Sequence, residues 1–593
     1  MQDVRVVLFL KYFFIFVKKF GNGYKRQMTL LFLMSVIGGF LELLGIAMIF
    51  PVMLILTSSD SIGGKTVLEF CSKFLPNIPY LKIAFILSLI MIFVFLFKNL
   101  FMMYYIKKQN DFVKIWSDYI NENVIKKILY APYKQIKTLS YGDENTLLFS
   151  SVRDISLEFV LRTIILLANG VVALCILGLL FYKFTIPAFL STVFIVLFAF
   201  FENLYFKKKA AHLGEVGVKM LNDFAYDVNF IINSQKEIII SNKQEYFANY
   251  LMKSSKNISD NFSKRISFGN YPLYVTEIGV IISFLIMIIS IVFLSDISKA
   301  AIISSLAVIA LIVLRLVPQL NKVLISMYAI NVSMPKAKWF IEKYDEISKF
   351  NFEEYKNLPS LNFESEIELK DVSFEYEENK GLKNINLKIK KGEFVGIIGA
   401  SGAGKTTLAD IIAGVYEPNE GLIFIDNVEL TKDKIKGWQK NISFLPQESS
   451  FLNASVLKNV AFGIDDNKIN LKKAEDALKK AGLNIPLNST MDLSIGQKKR
   501  VALARAYYND FKLLILDEAT SSLDVETENF VSENVANLKG EKTIIAIAHR
   551  LSTLKKCDRI IYLEEGKIKD EGTFDKLKEK HKEIENILKL SSF

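Results

Sequence analysis

The chain has 593 residues, of which 51% are hydrophobic, and a mean hydropathy of +0.28, which is too apolar for a soluble protein of this length. Its net charge of +11 is explained by lysines beside membrane spans, so no nucleic-acid partner is expected. The cysteines Cys71, Cys175 and Cys557 lie far apart without metal-ligand spacing, so the sequence supports neither a disulfide framework nor a zinc site.

The N-terminal segment, residues 1–27, contains an apolar stretch at residues 6–20 that is interleaved with lysines. It has no small-residue cleavage site, so it predicts an interfacial helix rather than a signal peptide. The basic pair Lys25 and Arg26 then marks a cytoplasmic edge.

Six apolar runs follow, and each is near or above the length that crosses a bilayer. They predict a transmembrane domain, residues 28–335, with six helices and two cytoplasmic helical extensions. The runs are residues 29–56, 83–105, 163–182, 186–206, 273–294 and 300–325.

The orientation follows from the basic residues. Segments 106–155 and 207–270 are long and carry lysine pairs, whereas the connections around Lys183 and 295–299 are very short. Long basic segments face the cytoplasm, so both termini are predicted to be cytoplasmic. Between the first two spans, residues 65–81 fit either a short helix on the outer membrane surface or an ordinary loop.

Three ionisable residues inside these spans, Glu42, Glu277 and Arg315, are candidates for a substrate cavity. At a rise of ~1.5 Å per residue, Glu277 lies ~9 Å from the inner edge and Arg315 ~22 Å from the outer edge of a core of ~30 Å. These depths predict that the two side chains pair or share a wet cavity. The same arithmetic gives Glu42 no partner. A purely structural ion pair and a site for an anionic head group are equally compatible with this placement.

A charged linker, residues 336–363, leads to a second domain at residues 364–593. Its centre is a glycine loop between an apolar strand and a helix. Glycines there let backbone N–H groups approach phosphate, Lys405 supplies a point charge, and the Thr406 hydroxyl can ligate Mg²⁺. The loop residues proposed to bind nucleotide are Gly399, Ser401, Gly402, Ala403, Gly404, Lys405, Thr406 and Thr407.

Residues 513–518 form a buried-strand run that ends in two carboxylates. In this arrangement one acid holds the metal's water shell and the next orients the attacking water. Asp517 is therefore predicted to be the metal-side acid and Glu518 the catalytic base.

The stretch Leu493-Ser-Ile-Gly-Gln497 resembles the signature of the ATP-binding cassette family, and the resemblance extends from residue 367 to about 572. It implies ATP and Mg²⁺ as cofactors. It also implies two cytoplasmic turns, near residues 141–151 and 222–231, at which exporters of the family contact the cassette. The roles that it implies are adenine stacking by Tyr376, metal contact by Gln447, nucleotide contact across the dimer by Ser494, Gly496, Gln497 and Asp524, and a catalytic switch at His549.

Two departures from the family pattern matter. Ile495 stands where the signature usually has glycine, so the loop must hold it in an ordinary backbone region or accept strain. The segment from Ala481 to Leu493 is short and lacks the Gly-Glu-rich loop of exporters. We expect a weaker or slower composite site rather than an inactive one.

The fold class implied is a polytopic α-helical membrane domain of exporter type, with six transmembrane helices, fused to an α/β P-loop ATP-binding cassette domain. Residues 40–51, 276–279 and 314–318 further resemble lipid-linked oligosaccharide flippases of the PglK type. The leading hypothesis is a homodimeric flippase of the bacterial inner membrane. The alternatives are a drug or peptide exporter of the same fold, an ATP-gated channel or regulator, and a soluble ATPase of translation or DNA repair, which the apolar runs argue against.

Overall fold

The chain divides into two compact units. A computed structural model describes residues 6–47, 79–137, 139, 143, 146–183, 185–294, 299–347, 360–377, 380–518, 525–548 and 550–581. Unit 1 comprises Met1–Ala131 and Gln135–Phe350, and unit 2 comprises Pro132–Lys134 and Asn351–Phe593.

Unit 1 is helical, and its longest helices continue well past the length of a membrane span. Two π-helical turns, Thr146–Ser150 and Ile155–Leu161, flank the fifth helix. The helices before residue 348 are α1 (Val6–Phe20), α2 (Lys25–Ala47), α3 (Tyr80–Tyr130), α4 (Tyr133–Ile136), α5 (Ser151–Asp154), α6 (Arg162–Lys183), α7 (Thr185–Asn233), α8 (Gln235–Ile240), α9 (Gln244–Leu294) and α10 (Lys299–Ile347).

Within the described residues, four helices are long and apolar enough to cross a membrane. They overlap the second to fifth predicted spans, which confirms a polytopic helical membrane domain. Residues 48–56 of the first predicted span and the side chains of residues 301–315 in the sixth lie outside the described part. The number six therefore stays a prediction, as does the helix or loop at residues 65–81. The four spans found are Leu81–Tyr130, Ser151–Gly178, Phe189–Asn233 and Gln244–Ile291.

The cytoplasmic extensions are continuous helices, but their turns differ from the prediction. α7 runs without interruption through residues 222–231, which contain neither Gly nor Pro, so the turn predicted there is wrong. The chain turns instead at Ser234 and again after α8, where Asn242 adopts a φ of 52°. α3 ends before Pro132, which disfavours helical geometry at the preceding residue. In the other predicted turn, residues 141–151, positions 141, 142, 144 and 145 lie outside the described residues, so that turn stays a prediction.

α10 extends to Ile347, so the predicted linker begins inside a helix and continues through residues 348–359, which are not described. The domain boundaries themselves stay predictions. A buried aromatic cluster, made of Phe16, Phe20, Trp116 and Phe340, packs α1 against α3 and α10. The Trp116 indole N–H donates to the Phe20 carbonyl at 2.9 Å, which satisfies its one polar atom.

Unit 2 is an α/β domain with two sheets. Its strands are β1 (Glu366–Glu377), β2 (Lys380–Lys390), β3 (Phe394–Gly399), β4 (Glu420–Ile425), β5 (Val428–Glu429), β6 (Ile442–Leu445), β7 (Leu513–Asp517), β8 (Thr543–Ile547), β9 (Arg559–Glu564) and β10 (Lys567–Gly572). Its helices are α11 (Lys405–Ile412), α12 (Lys432–Gln439), α13 (Val456–Val460), α14 (Leu471–Lys480), α15 (Ile495–Tyr508), α16 (Val525–Ala536), α17 (Leu551–Leu554) and α18 (Phe574–Lys580), with a 3₁₀ turn at Asp466–Lys468.

The larger sheet has the strand order β10-β9-β3-β8-β7-β6, and the smaller one is antiparallel with the order β2-β1-β4-β5. β3 pairs in parallel with β8 and β9, and β7 pairs in parallel with β6 and β8. Every residue of β3, β7 and β8 is buried, as expected for strands covered on both faces. The carboxyl ends of these three strands therefore share one edge, where ligands of open α/β sheets bind.

Candidate functional site

The glycine loop follows β3 at this edge and leads directly into α11. Gly402 and Gly404 have φ values of 81° and 98°, a region that favours glycine. A Cβ on Gly404 would lie 2.6 Å from the Leu382 side chain, whereas one on Gly402 would meet open space. Gly404 is thus required by both conformation and space, and its position as N-cap of α11 aims the helix's N–H groups at the loop.

Lys405 is buried beneath this loop. Its ammonium donates to the carbonyl oxygens of Gly399 and Ala400, each at 3.0 Å. Burial lowers the pKa of Lys405, and the nearby carboxylates of Glu518 and Asp517 partly oppose that shift. The loop thus holds a desolvated cation, which attracts phosphate oxygens strongly.

Three strand ends bring the proposed metal ligands and the base together. The Thr406 hydroxyl donates to Asp517 at 3.2 Å, and the Gln447 amide donates to Glu518 at 2.9 Å. Hydroxyl, carboxylate and amide oxygens are the hard ligands that Mg²⁺ prefers, so this donor set fits the ion. Because Gln447 uses its nitrogen for Glu518, its oxygen can face a metal while its nitrogen holds the base.

Glu518 occupies a backbone position that is uncommon for a residue with a side chain. Its φ is 49°, and its N–H donates to the Ile547 carbonyl at 3.1 Å. Such conformations cost energy and persist where the surrounding structure holds them, often at functional sites. Here the neighbouring strand β8 fixes the first residue after β7, which directs the carboxylate towards Gln447.

A cavity of about 1150 Å³ contains this machinery. Its lining includes the loop, Gln447, Glu518, Tyr376 and the turn between β9 and β10. The Tyr376 ring meets Tyr416 edge-on at 5.3 Å and stays 39% exposed, while its hydroxyl lies 3.2 Å from that of Thr407. An aromatic ring beside a phosphate loop can stack on a nucleotide base.

The signature residues lie apart from this cavity. Ser494 caps α15 in a reciprocal capping box: the Gln497 N–H donates to its hydroxyl at 3.3 Å, and the Gln497 side chain accepts from the Ser494 N–H at 3.0 Å. Ile495 is the first residue of the helix and has no positive φ, so it sits in an ordinary backbone region without strain. Its side chain is 72% exposed. Neither Ser494, Gly496 nor Gln497 lines the cavity of its own chain.

Two of the predicted site residues, Asp524 and His549, lie outside the described residues. The segment that follows His549 is held by an ion pair between Arg550 and the buried Glu528. The Ser552 hydroxyl also donates to Glu528 at 2.6 Å. The start of α17 is therefore anchored to α16.

The three candidates inside the predicted membrane spans, Glu42, Glu277 and Arg315, differ in their surroundings. Glu42 accepts hydrogen bonds from the Gln319 amide at 2.7 Å and from the Lys322 ammonium at 3.2 Å, so the expectation that it has no partner is wrong. Both partners lie near the inner end of the sixth predicted span. The depth estimate compared Glu42 only with Glu277 and Arg315, so it did not include them. Glu277 is exposed, and the side chain of Arg315 lies outside the described residues, so their pairing stays a prediction.

The turn between β9 and β10 was not singled out from sequence. Glu565 and Gly566 have φ values of 49° and 78°, the pattern of a two-residue hairpin turn with both residues left-handed. Gly566 donates its N–H to the Ala403 carbonyl at 3.3 Å and accepts from the Lys383 N–H at 2.8 Å. This turn therefore ties the phosphate loop to β2. The only sequence signal was the turn-forming Glu-Gly pair between the apolar strand β9 and the charged strand β10.

The helical membrane unit and the cassette unit together define the class: the chain has the fold of an exporter of the ABC type. Residues 382–521 match the family model described as ABC transporter. The fold is similar to that of a solved structure, a bacterial Atm1-family ABC exporter with ATP bound, with a TM-score of 0.78 and 18% sequence identity. The similarity covers 95% of this chain and 98% of the solved chain.

Individual relatives are similar to a shorter part of the chain. The Beta-(1-->2)glucan export ATP-binding/permease protein NdvA of Rhizobium etli is 35% identical over 223 residues, which are 36% of this chain and 38% of NdvA. The ATP-dependent lipid A-core flippase of Wigglesworthia glossinidia brevipalpis is 40% identical over 216 residues, 34% of this chain and 37% of the flippase. The alpha-hemolysin translocation ATP-binding protein HlyB of Proteus vulgaris is 38% identical over 215 residues, 34% of this chain and 29% of HlyB. The matches thus span about a third of these relatives.

Proposed function

We propose that this protein is an ATP-driven exporter of the bacterial inner membrane that works as a homodimer with both termini in the cytoplasm. Its substrate would be an amphipathic lipid, with a lipid-linked oligosaccharide as the first candidate. The observation that carries the ATPase part is the convergence of Lys405, Thr406, Gln447 and Glu518 in one cavity, with Asp517 hydrogen-bonded to Thr406.

The proposed chemistry is phosphoryl transfer to water. Thr406, Asp517 and Gln447 would hold Mg²⁺, which neutralises phosphate charge when bound. Lys405 and the loop N–H groups bind and orient the outer phosphates. Glu518 accepts a proton from the attacking water, and Gln447 fixes the direction of that carboxylate. His549 and Asp524 are proposed to complete the site on the grounds of the family pattern.

The dimer is proposed because each chain carries one phosphate loop and one signature, and the signature residues do not line their own chain's cavity. Ser494 and Gly496 of a second copy would then complete the nucleotide site. Ile495 leaves the backbone unstrained but places an exposed apolar side chain where glycine would leave room. This supports a slower composite site rather than an inactive one.

The substrate proposal has two supports. Glu42, Gln319 and Lys322 form a polar cluster at membrane depth, where ionisable groups usually serve a substrate path. Two relatives are named for glucan export and lipid A-core flipping, which involve saccharide or lipid cargo. A drug or peptide exporter remains the alternative within the fold, since a further relative is named for toxin translocation.

The test uses purified protein in liposomes that contain a polyprenyl-pyrophosphate-linked oligosaccharide with a labelled sugar. ATP-dependent transfer of the label across the bilayer, absent in the Glu518→Gln variant, would support the flippase. A passive ion current that ATP merely opens would support the channel alternative. Stimulation of ATP hydrolysis by drugs or peptides, without stimulation by the lipid, would favour the other exporter class.

The role of Arg315 can be tested in the same liposomes. Arg315→Ala is expected to abolish the stimulation of ATP hydrolysis by the lipid while basal hydrolysis remains, because a cation at that depth would hold the anionic head group. Equal loss of basal and stimulated hydrolysis would indicate a structural ion pair instead. Arg315→Lys serves as the control, since it keeps the charge.

A further inference from the structure

Glu202 is a buried carboxyl group on α7, inside the fourth predicted membrane span. Its side chain is 6% exposed. It precedes the lysine run at residues 207–209 by five residues, which corresponds to ~7.5 Å along a helix. The sequence-based list of membrane charges omitted it, although an acidic residue within an apolar run is the signal that identified Glu42.

The carboxyl group of Glu202 lies against a hydroxyl group that has only one hydrogen to donate. The Thr276 hydroxyl on α9 lies 3.2 and 3.3 Å from the two carboxyl oxygens of Glu202, and 2.6 Å from the Pro272 carbonyl. A hydroxyl has one hydrogen to donate and two lone pairs that accept. The Thr276 hydroxyl can point this hydrogen at Glu202 or at Pro272, and the shorter distance favours Pro272. The contact with Glu202 is then a hydrogen bond only if Glu202 carries a proton and donates it to Thr276.

Within the described residues, Glu202 forms no ion pair. Glu42 is the contrasting case, because Lys322 and Gln319 both donate to it. An ionised carboxylate buried without a cation or a donor is very costly, so the neutral acid is the form that this environment accepts. The helices that contact α7 carry ionisable side chains, among them Cys175 on α6, Arg265, Tyr271, Tyr274 and Glu277 on α9, and Lys322 and Tyr328 on α10. In the part of the chain that the structure describes, no hydrogen bond or ion pair joins any of them to Glu202.

Pro272 makes this position on α9 irregular. Proline has no N–H, so the helix loses one backbone hydrogen bond there. The Thr276 hydroxyl bonds back to the carbonyl four residues earlier, a contact that often accompanies helix bending. The contact between Glu202 and Thr276 thus joins α7 to α9 beside a weakened turn.

We propose that Glu202 is a proton-binding site that holds α7 against α9. With the proton bound, the acid donates to Thr276 and the helix contact is satisfied. Removal of the proton leaves a buried negative charge, and the carboxylate must then reach water, which separates the two helices. The site concerns the membrane unit alone and does not depend on the proposed cargo.

Infrared spectroscopy of the full chain in liposomes tests the protonation directly, because a carboxylic acid has a carbonyl band apart from those of carboxylates. At neutral pH, the difference spectrum of the wild type and Glu202→Gln is expected to show the loss of one carboxylic-acid band. Glu42→Gln is the matched control, and it should leave the acid region unchanged, since Glu42 is paired with a lysine. No acid-band difference for Glu202→Gln, or a carboxylate band in its place, would overturn the proposal.

Two further measurements guard against a misfolded variant. Thr276→Val removes the acceptor, so the acid band should shift in frequency without being lost. In the wild type, which needs no substitution, alkaline titration should remove the band and lower the temperature of thermal unfolding over the same pH range. An acid band that persists unshifted in Thr276→Val would show that Glu202 does not donate to Thr276 and would refute the contact.

Discussion

The nucleotide cavity of unit 2 and the polar contacts of the membrane unit place their key side chains by different means. In unit 2 each of Lys405, Glu518 and Gln447 stands directly after or close to a strand end, so the sheet alone brings them together. In the membrane unit, Glu42 meets Lys322 across 280 positions of sequence. The nucleotide site is therefore encoded in short local runs of sequence. The polar contacts of the membrane unit depend instead on the way in which its long helices pack together.

The two regions also differ in how they tolerate charge. The buried Lys405 has two backbone carbonyls as acceptors and two carboxylates nearby. In the membrane unit, the half-buried Glu42 has a cation as its partner, whereas the buried Glu202 has only a hydroxyl. A polar group in a membrane must find its partner within the protein, so the partner determines whether it is charged. Substitutions in each region can therefore test the comparison.

The largest effect is expected from Glu518→Gln, which keeps the size of the side chain but removes the base. ATP turnover should fall by about 10²–10⁴-fold, the usual contribution of a positioned general base, while ATP binding is retained. Phosphate release measures turnover, and a fluorescent nucleotide measures binding. Glu533→Gln, on the exposed face of α16, is the control. Unchanged turnover in Glu518→Gln would remove this residue from the mechanism.

The next effect tests whether the turn between β9 and β10 positions the phosphate loop. A Cβ on Gly566 would lie 2.2 Å from the Gly381 carbonyl oxygen, and backbone cannot move as a side-chain end can. Gly566→Ala should therefore displace the turn from Ala403 and weaken ATP binding about tenfold, or ~1.4 kcal/mol. The readout is nucleotide affinity, with little change in turnover at saturating ATP.

Gly463→Ala is the matched control for that substitution. Gly463 has a φ of 79°, close to the 78° of Gly566, but a Cβ there meets no atom within 4 Å. Both variants carry the same backbone strain, and only Gly566→Ala adds the clash. Equal loss of ATP affinity in the two would show that strain, not the tie between the turn and the loop, is responsible.

Sequence reasoning predicted the cassette well because its function follows strand ends. The glycine loop, the two acids after β7 and the α/β fold were all readable from runs of fewer than about ten residues. The role of the turn at Gly566 could not be predicted from the sequence, because it comes from contacts with Ala403 and Lys383, which are distant in sequence. Register between strands decides such contacts, and no local pattern encodes it.

In the membrane unit, hydropathy predicted the spans but not their polar partners. Depth arithmetic places a residue along the membrane normal and says nothing about rotation around the helix, which decides whether Glu42 meets Lys322. The turn predicted at residues 222–231 failed for a related reason: this stretch of α7 contains neither Gly nor Pro, so the helix continues until another signal ends it at Ser234.

A smaller effect is expected at the Glu42 and Lys322 pair. Glu42→Ala leaves the Lys322 ammonium and the Gln319 amide without their acceptor, so stability should fall by ~1–3 kcal/mol. Because Lys322 is 39% exposed and can reach water, the coupling in a double-mutant cycle with Lys322→Ala should be only ~0.5–1.5 kcal/mol. Unfolding of the detergent-solubilised protein measures both. Strictly additive losses would mean that the two side chains do not interact.

The smallest effect concerns Asp570 of β10, beside the C-terminal helix α18. Hydrogen bonds from Lys580 and then His581 lower the pKa of its carboxyl from the ordinary value to about 2. A carboxyl with a lowered folded-state pKa stabilises the fold above its unfolded pKa of ~3.9 and loses that contribution as pH falls to about 2. The ion pair is at the surface, so Asp570→Asn should cost only ~0.2–1 kcal/mol at neutral pH.

That loss should have a distinct pH signature. Wild type and Asp570→Asn should differ in unfolding midpoint at neutral pH and converge as pH falls from about 4 to about 2, because the wild-type carboxyl becomes protonated there. Asp476→Asn, an exposed acid on α14 that forms no ion pair within the described residues, should show no such convergence. If the difference between wild type and Asp570→Asn persisted unchanged to the lowest pH, the packing of α18 and not the charge of Asp570 would be its source. The titration would then give no support to the contrast between the ion-paired Asp570 at the surface and the buried Glu202 on α7.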